Sequence, residues 1–250
     1  MALIKDIYEY IDFLAPFETQ AQFDNCGLLI GDMNTLVSKV LLSLDITDEV
    51  VNEAKEKGCE LIISHHPVIF SPLKSVCESD IVYKLIKADL SALCVHTNLD
   101  KAENIGVNVC LANALKLQNQ QLYPDEFLCV GELENTMSDE EFALFVKEKL
   151  NVEGVRYTKG NAIKKVAVSS GAGSEAVTLK SKYGFSALVT GELKHHHFLY
   201  AKENSLCAVE AGHFSTEDIA IEPLKEALKE KFSDVLFIKS QALTDPIHFL

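Results

Sequence analysis

Four short apolar runs in this chain each stop at a loop that carries histidine. Residues 59–63 lead into Ser-His-His-Pro, with His65 and His66, and residues 93–95 lead into His96-Thr-Asn-Leu-Asp100. Residues 187–189 precede the tract His195, His196 and His197, and residues 207–209 precede Gly-His213-Phe-Ser-Thr-Glu217. Runs this short, bounded by turn residues, suit buried strands and are too brief for helices. Segments of helical period lie between them, and that alternation favours an α/β fold. In an open α/β sheet, ligands bind outside the carboxyl ends of the strands, where these loops fall.

Of the eight histidines only His248 lies outside the four loops. A lone histidine is more often a surface or core residue than a ligand. A His-His-Pro step at a strand end is harder to explain that way, and HTNxD and GHxxxE add two carboxylates, Asp100 and Glu217. The grouping predicts a metal site.

The remaining segments fill in the plan. Leu3, Ile4, Ile7, Ile11 and Leu14 recur at helical spacing, so the chain opens on an amphipathic helix halted by Pro16. A strand is expected over 36–44, then a helix with Asp48 and Glu49 near its start and Gly58 past its end. Helices over 81–87 and around 107–115 flank a strand at 92–95. A second half restarts at 127–130. Ser138-Asp-Glu-Glu141 is a capping box for a helix running to about residue 150, and a strand follows at 166–169. SSGAGS at 169–174 sits between a strand and a helix that ends near Gly184. It lacks the spacing of a dinucleotide or P-loop motif, so a tight turn is favoured over a phosphate cradle. Both halves run strand, histidine loop, helix, strand, histidine loop, helix, which suggests a diverged duplication. The division is placed at Tyr123-Pro124-Asp125, giving 1–124 and 125–250 with some interleaving of elements.

Bulk properties narrow the function. A length of 250 residues, 48% hydrophobic with mean hydropathy +0.09, suits one large or two modest domains. No apolar run reaches the roughly 18–20 residues of a membrane span, and the N-terminus lacks the pattern of a signal peptide. A net charge of −14 argues against bulk nucleic-acid binding, which depends on Lys and Arg. Seven scattered cysteines without a C-x-x-C pair support neither a disulfide framework nor a thiolate zinc site, and a reducing cytoplasm is the expected compartment.

The donor set is three imidazoles and two carboxylates without sulfur. His213 and Glu217, four apart at a helix start, share a face, whereas the adjacent His65 and His66 suit two neighbouring ions better than one. Such N/O ligands fit Zn, Fe, Mn or Ni. Three consecutive histidines in a helix project about 100° apart, so none of His195 to His197 is expected to be a ligand.

The motifs FDNCGLLIG, SHHP, HTNLD, TGELKHH and GHFSTE, in that order from about Asp24 to Glu217, resemble the YbgI-like dinuclear-metal family. It is also called the NGG-interacting-factor-three-like family, or GTP cyclohydrolase I type 2 homologs. Phe23 stands where that family usually has Trp, and 250 residues leave no room for the inserted middle domain of its long members. The resemblance implies two similar α/β domains facing each other, with a dinuclear metal site in the cleft between them. It further implies a toroidal homohexamer built as a trimer of dimers. It places two divalent transition-metal ions per subunit on His65, His66, Asp100, His213 and Glu217, with Glu217 bridging. His96, matching a family histidine near the site, is the candidate catalytic residue. The expected function is a metal-dependent hydrolase that opens a purine ring with metal-activated water, releasing formate from a substrate such as GTP. No motif for reading guanine or a triphosphate is evident, although Lys74, Lys101 and Lys194 lie near the motifs. The alternatives are a metal-binding or metallochaperone-like interaction protein and a two-metal phosphoesterase.

Overall fold

The helical spacing of Ile4, Ile7 and Ile11 places three branched side chains on one face of α1 (Ile4–Leu14), and all three are fully buried. The helix starts with Asp6 accepting the Leu3 N–H at 3.0 Å and stops before Pro16. The computed structural model describes residues 1–250. These divide into a unit of Met1–Ile105 with Ile221–Thr244 and a unit of Gly106–Ala220 with Asp245–Leu250.

In chain order the first unit holds β1 (Ala2–Leu3), α1, β2 (Gly27–Ile30), β3 (Leu36–Val37), β4 (Lys39–Ser43), α2 (Asp48–Lys57), β5 (Leu61–Ser64), α3 (Ile81–Lys87), β6 (Ser91–Cys94) and α4 (Thr97–Asp100). The second holds α5 (Val107–Ala114), β7 (Gln118–Tyr123), β8 (Leu128–Met137), α6 (Asp139–Lys149), β9 (Arg156–Tyr157), β10 (Ile163–Ser169), α7 (Lys180–Tyr183), β11 (Ala187–Thr190), α8 (His195–Glu203), β12 (Cys207–Glu210) and α9 (His213–Glu217). The chain then returns to the first unit as α10 (Ile221–Lys231) and β13 (Leu236–Lys239).

Local chemistry sets these limits. Thr47 caps α2 by accepting the Val50 N–H, and Gly58 closes it at φ +67°, a conformation costly for any residue with a Cβ. Ser138 and Glu141 form the expected capping box of α6. The strand expected over 36–44 is broken at Ser38, where the Glu60 carboxylate accepts the N–H groups of Ser38 and Lys39 at 3.0 and 2.9 Å. On one side of the break β3 pairs with β1, and on the other β4 enters the main sheet.

The first sheet has the order β13-β4-β5-β6-β2 and is parallel except for β2, which runs antiparallel to β6. The second has the order β7-β8-β10-β11-β12-β9. Its parallel centre is β10-β11-β12, and β9 runs antiparallel to β12. Each unit therefore repeats one plan: three adjacent parallel strands, with an antiparallel strand on the third that precedes them in sequence. The histidine loops follow the second and third strand of each set.

Both faces of the parallel strands are covered, which explains their nearly unbroken apolar runs. Along β11, Ala187 and Val189 pack with Phe142 and Val146, while Leu188 packs on the opposite side with Phe185 and Leu206. In the first unit Leu41, Ile62 and Ala92 pack against Val50, Val51 and Leu85.

Two sequence expectations are corrected. Tyr123-Pro124-Asp125 is not a border between units, because Tyr123 pairs with Leu128 in a β7–β8 hairpin inside the second unit. The helix expected after SSGAGS is a 3-10 turn over Ser174–Leu179 that widens into the one-turn α7, closed by Gly184 at φ +70°. No helix is long and apolar enough to cross a membrane.

Candidate metal centre

The first unit brings three imidazoles together at the ends of β5 and β6. His65 and His66 continue past β5, their N–H groups donating to Ser43 and Leu44 carbonyls at 3.2 and 2.9 Å. This pins both backbones to β4 and leaves their rings to turn outward from the sheet end. His96 follows β6. Ring centroids are 5.2 Å apart for His65 and His66, 5.1 Å for His65 and His96, and 5.5 Å for His66 and His96. One ring nitrogen from each lies within 4.8 Å of the others, close enough to hold a metal ion.

Each ring is oriented from behind. His65 Nδ1 lies 2.9 Å from the Val95 carbonyl, His66 Nδ1 lies 2.8 Å from Asp45 Oδ1, and His96 Nδ1 lies 2.8 Å from Asp24 Oδ1. A carbonyl or carboxylate oxygen only accepts, so Nδ1 carries the proton and donates. In the neutral ring the lone pair then sits on Nε2, the arrangement in which histidine coordinates metal. Asp100, in α4, brings Oδ1 to 3.6 Å from His65 Nε2, so a carboxylate joins the same face.

Asp24 is the most heavily bonded of the orienting groups. Besides His96 it accepts the Thr97 N–H at 3.0 Å and the Cys26 thiol at 3.1 Å, and Thr97 Oγ1 also donates to it. Burial works to raise its pKa, but the hydrogen bonds from His96, Thr97 and Cys26 outweigh burial and hold the carboxyl well below its usual range.

The second unit repeats the device in α9. His213 Nδ1 lies 2.8 Å from Glu192 Oε1, and His213 Nε2 lies 2.9 Å from Glu217 Oε2. The i,i+4 spacing thus sets imidazole and carboxylate face to face, as expected for one turn of helix. Glu217 is only 5% exposed. Its pocket is made by glycine: a Cβ on Gly171 (φ +53°) would overlap Glu217 Oε1 and stand 2.7 Å from its Cδ and 3.1 Å from His213 Nε2. Thr216 Oγ1 accepts the Gly171 N–H at 3.1 Å, and Asn108 Oδ1 accepts that of Ser170 at 2.8 Å. SSGAGS is therefore a tight turn, with these N–H groups spent on side chains and Glu217 lying against it.

Within the first unit the structure collects His65, His66, His96 and Asp100; within the second it collects His213 and Glu217. The tract His195 to His197 opens α8 instead. His195 and His196 are exposed, and the buried His197 accepts the Lys194 N–H at its Nδ1. Sequence reasoning missed Asp24, Asp45 and Glu192, the three carboxylates behind the rings. Asp24 stood within the FDNCGLLIG motif and Glu192 within TGELKHH, but Asp45 carried no signal because it joins His66 across neighbouring strands. The collected donors suit a borderline divalent ion: imidazole nitrogen and carboxylate oxygen, no thiolate, and rings held for coordination through Nε2.

Two units of mixed α/β structure, with histidine and carboxylate groups at strand ends that could hold a metal, define the class of this protein. The chain belongs to the Duf34/NIF3 (NGG1p interacting factor 3) family, whose model matches residues 2–246. It is 33% identical to a Clostridium perfringens protein named GTP cyclohydrolase 1 type 2 homolog, over 99% of each chain. A Staphylococcus aureus protein of known crystal structure superposes with a TM-score of 0.92 at 30% identity, over 100% of this chain and 99% of that one. A Bacillus cereus protein related to NIF3 gives the same TM-score at 24% identity, over 100% and 99%, which supports the fold alone.

Proposed function

We propose that this chain is a metal-dependent hydrolase in which His65, His66 and Asp100 of the first unit and His213 and Glu217 of the second hold two divalent ions. Zinc, iron, manganese and nickel would all suit this donor set, with Glu217 as the carboxylate that would serve both ions. One observation carries the reading. Four imidazoles on two separate units have Nδ1 fixed by a carbonyl or carboxylate at 2.8–2.9 Å. Histidines that merely pack or cap need no such repeated orientation, whereas metal-ligating histidines almost always have it.

Ions bound there supply Lewis acidity and a lowered pKa for water at neutral pH. The chain's own residues do the rest. Asp45, Glu192 and the Val95 carbonyl keep His66, His213 and His65 in their coordinating tautomer. His96, locked by Asp24, presents Nε2 beside them as the group that touches substrate. The name of the Clostridium perfringens relative, GTP cyclohydrolase 1 type 2 homolog, supports a purine nucleotide as substrate, with hydrolytic ring opening and formate as product. The same reading takes the assembly to be a cytoplasmic homohexamer, a trimer of dimers, with a solution mass about six times that of one chain.

The test is turnover by metal-reconstituted protein across nucleotides and cyclic amides, with Asp100→Ala as control. Metal-dependent formate release that Asp100→Ala abolishes is the expected result. Phosphate release would move the assignment to a two-metal phosphoesterase. Tight metal uptake without turnover would make the chain a metal-binding or metallochaperone-like protein.

A further inference from the structure

Cys26 and Cys94 stand directly behind the first-unit imidazoles, and the metal reading uses neither. Cys26 precedes Gly27, whose Cα partner across the antiparallel β2–β6 ladder is Cys94. Paired residues in such a ladder lie about 4.5–5.5 Å apart at Cα, so Cys26, one residue earlier, falls at about 6 Å, within the span of a disulfide; Gly27 at φ +112° breaks the alternation that would otherwise turn the Cys26 side chain to the opposite face. The two thiols lie close enough to interact electrostatically. The Cys26 thiol also donates to Asp24 Oδ2, the carboxylate that orients His96, and the Cys94 thiol donates to the His65 carbonyl at 3.1 Å. Cys94 is fully buried and Cys26 partly exposed, so an oxidant can reach only Cys26 first.

We propose that Cys26 and Cys94 close a reversible disulfide, and that closing it withdraws both sulfurs from Asp24 and the His65 carbonyl and loosens the imidazole cluster. The oxidant is a low-molecular-weight disulfide. The Cys26 thiolate attacks one of its sulfurs and expels one thiolate. The Cys94 sulfur then attacks the Cys26 sulfur of the mixed disulfide and expels the second. Two protein thiols are oxidised, one disulfide is reduced, and the two protons leave with the expelled thiolates. Transient oxidation of this kind is compatible with a reducing compartment, where cytosolic disulfides are usually catalytic or redox-sensing.

The switch rests on the metal reading above, whereas the disulfide does not, and the experiment separates them. Reduced full-length protein is treated with oxidised glutathione and its peptides are mapped, with the exposed Cys77 as a built-in reactivity control. Wild type is expected to give a linked 26–94 peptide, and Cys94→Ala to stop with glutathione on Cys26. Metal-loaded wild type, once oxidised, is expected to surrender metal to a chelator about tenfold more readily, the scale of losing an outer-shell partner. Cys26→Ser should not respond to the oxidant. Modification of Cys77 with no 26–94 link, or a link that leaves metal retention unchanged, overturns the proposal. A reduced chain that takes up no metal would refute the metal reading, while the peptide map would still decide the disulfide.

Discussion

Gly171→Ala perturbs the second-unit donors without touching either of them in sequence. The native φ of +53° costs an L-residue about 1–2 kcal/mol. The new methyl would also stand 2.7 Å from Glu217 Cδ and 3.1 Å from His213 Nε2, so the carboxylate must move. With 5% exposure it has little room to do so. Forcing it off its rotamer and breaking the His213–Glu217 contact adds about 2–4 kcal/mol. Gly184→Ala is the matched control: its φ is +70°, but nothing lies within 4 Å of the added Cβ. That variant therefore carries the conformational cost alone, about 2–8 °C in Tm for a chain of this size. Thermal unfolding of the two variants in metal-free buffer, with metal content measured after reconstitution, separates the effects. We expect Gly171→Ala to melt well below Gly184→Ala and to lose metal, while Gly184→Ala stays fully loaded. Equal melting temperatures with full metal content in both would refute the steric argument and the role given to the turn.

Asp45→Ala and Glu192→Ala should each weaken metal affinity about 10–100-fold, with little change in Asp48→Ala, whose carboxylate pairs only with Lys84 at the surface; competition with a chelating dye reads all three. Acid stability should depend on Glu53, which accepts Ser240 Oγ at 2.5 Å and the N–H groups of Gln241 and Ala242 at 3.1 and 3.2 Å. Burial opposes ionisation there, but these bonds prevail and its pKa is lowered. A lowered folded-state pKa contributes stability above the unfolded value of about 4.3, and that contribution is lost as pH falls through the folded value. Denaturant midpoints from pH 6 to pH 3 should therefore fall less steeply in Glu53→Gln than in wild type, and parallel curves would remove Glu53 from the account.

The parallel strands were legible because each is buried on both faces. Residues 59–63, 92–95, 187–189 and 207–209 fall within a residue or two of β5, β6, β11 and β12. α1, α2 and α6 announced themselves through apolar spacing, the Gly58 stop and the Ser138–Glu141 box. The unit boundary was hidden because β7, Gln-Asn-Gln-Gln-Leu-Tyr, is an edge strand with mostly exposed side chains and reads as polar loop. The return of α10 and β13 to the first sheet was equally hidden. Leu236 pairs with Lys39 across nearly the whole chain, and an amphipathic helix can cover either sheet. In the site, the motif residues stood out as candidate ligands by type and spacing. Their orienting carboxylates did not, since Asp24 and Asp45 reach His96 and His66 only through the sheet's three-dimensional register.

Metal counting by elemental analysis on wild type, His66→Ala and Glu217→Gln tests the central claim most directly. Bridging by Glu217 predicts close to two ions per reconstituted wild-type chain and loss confined mainly to one ion in His66→Ala. It predicts loss of most of both in Glu217→Gln, since two cations about 4 Å apart repel strongly once the charge between them is removed. Only trace metal in wild type would contradict a metal centre, and equal single-ion losses in the two variants would contradict the bridge.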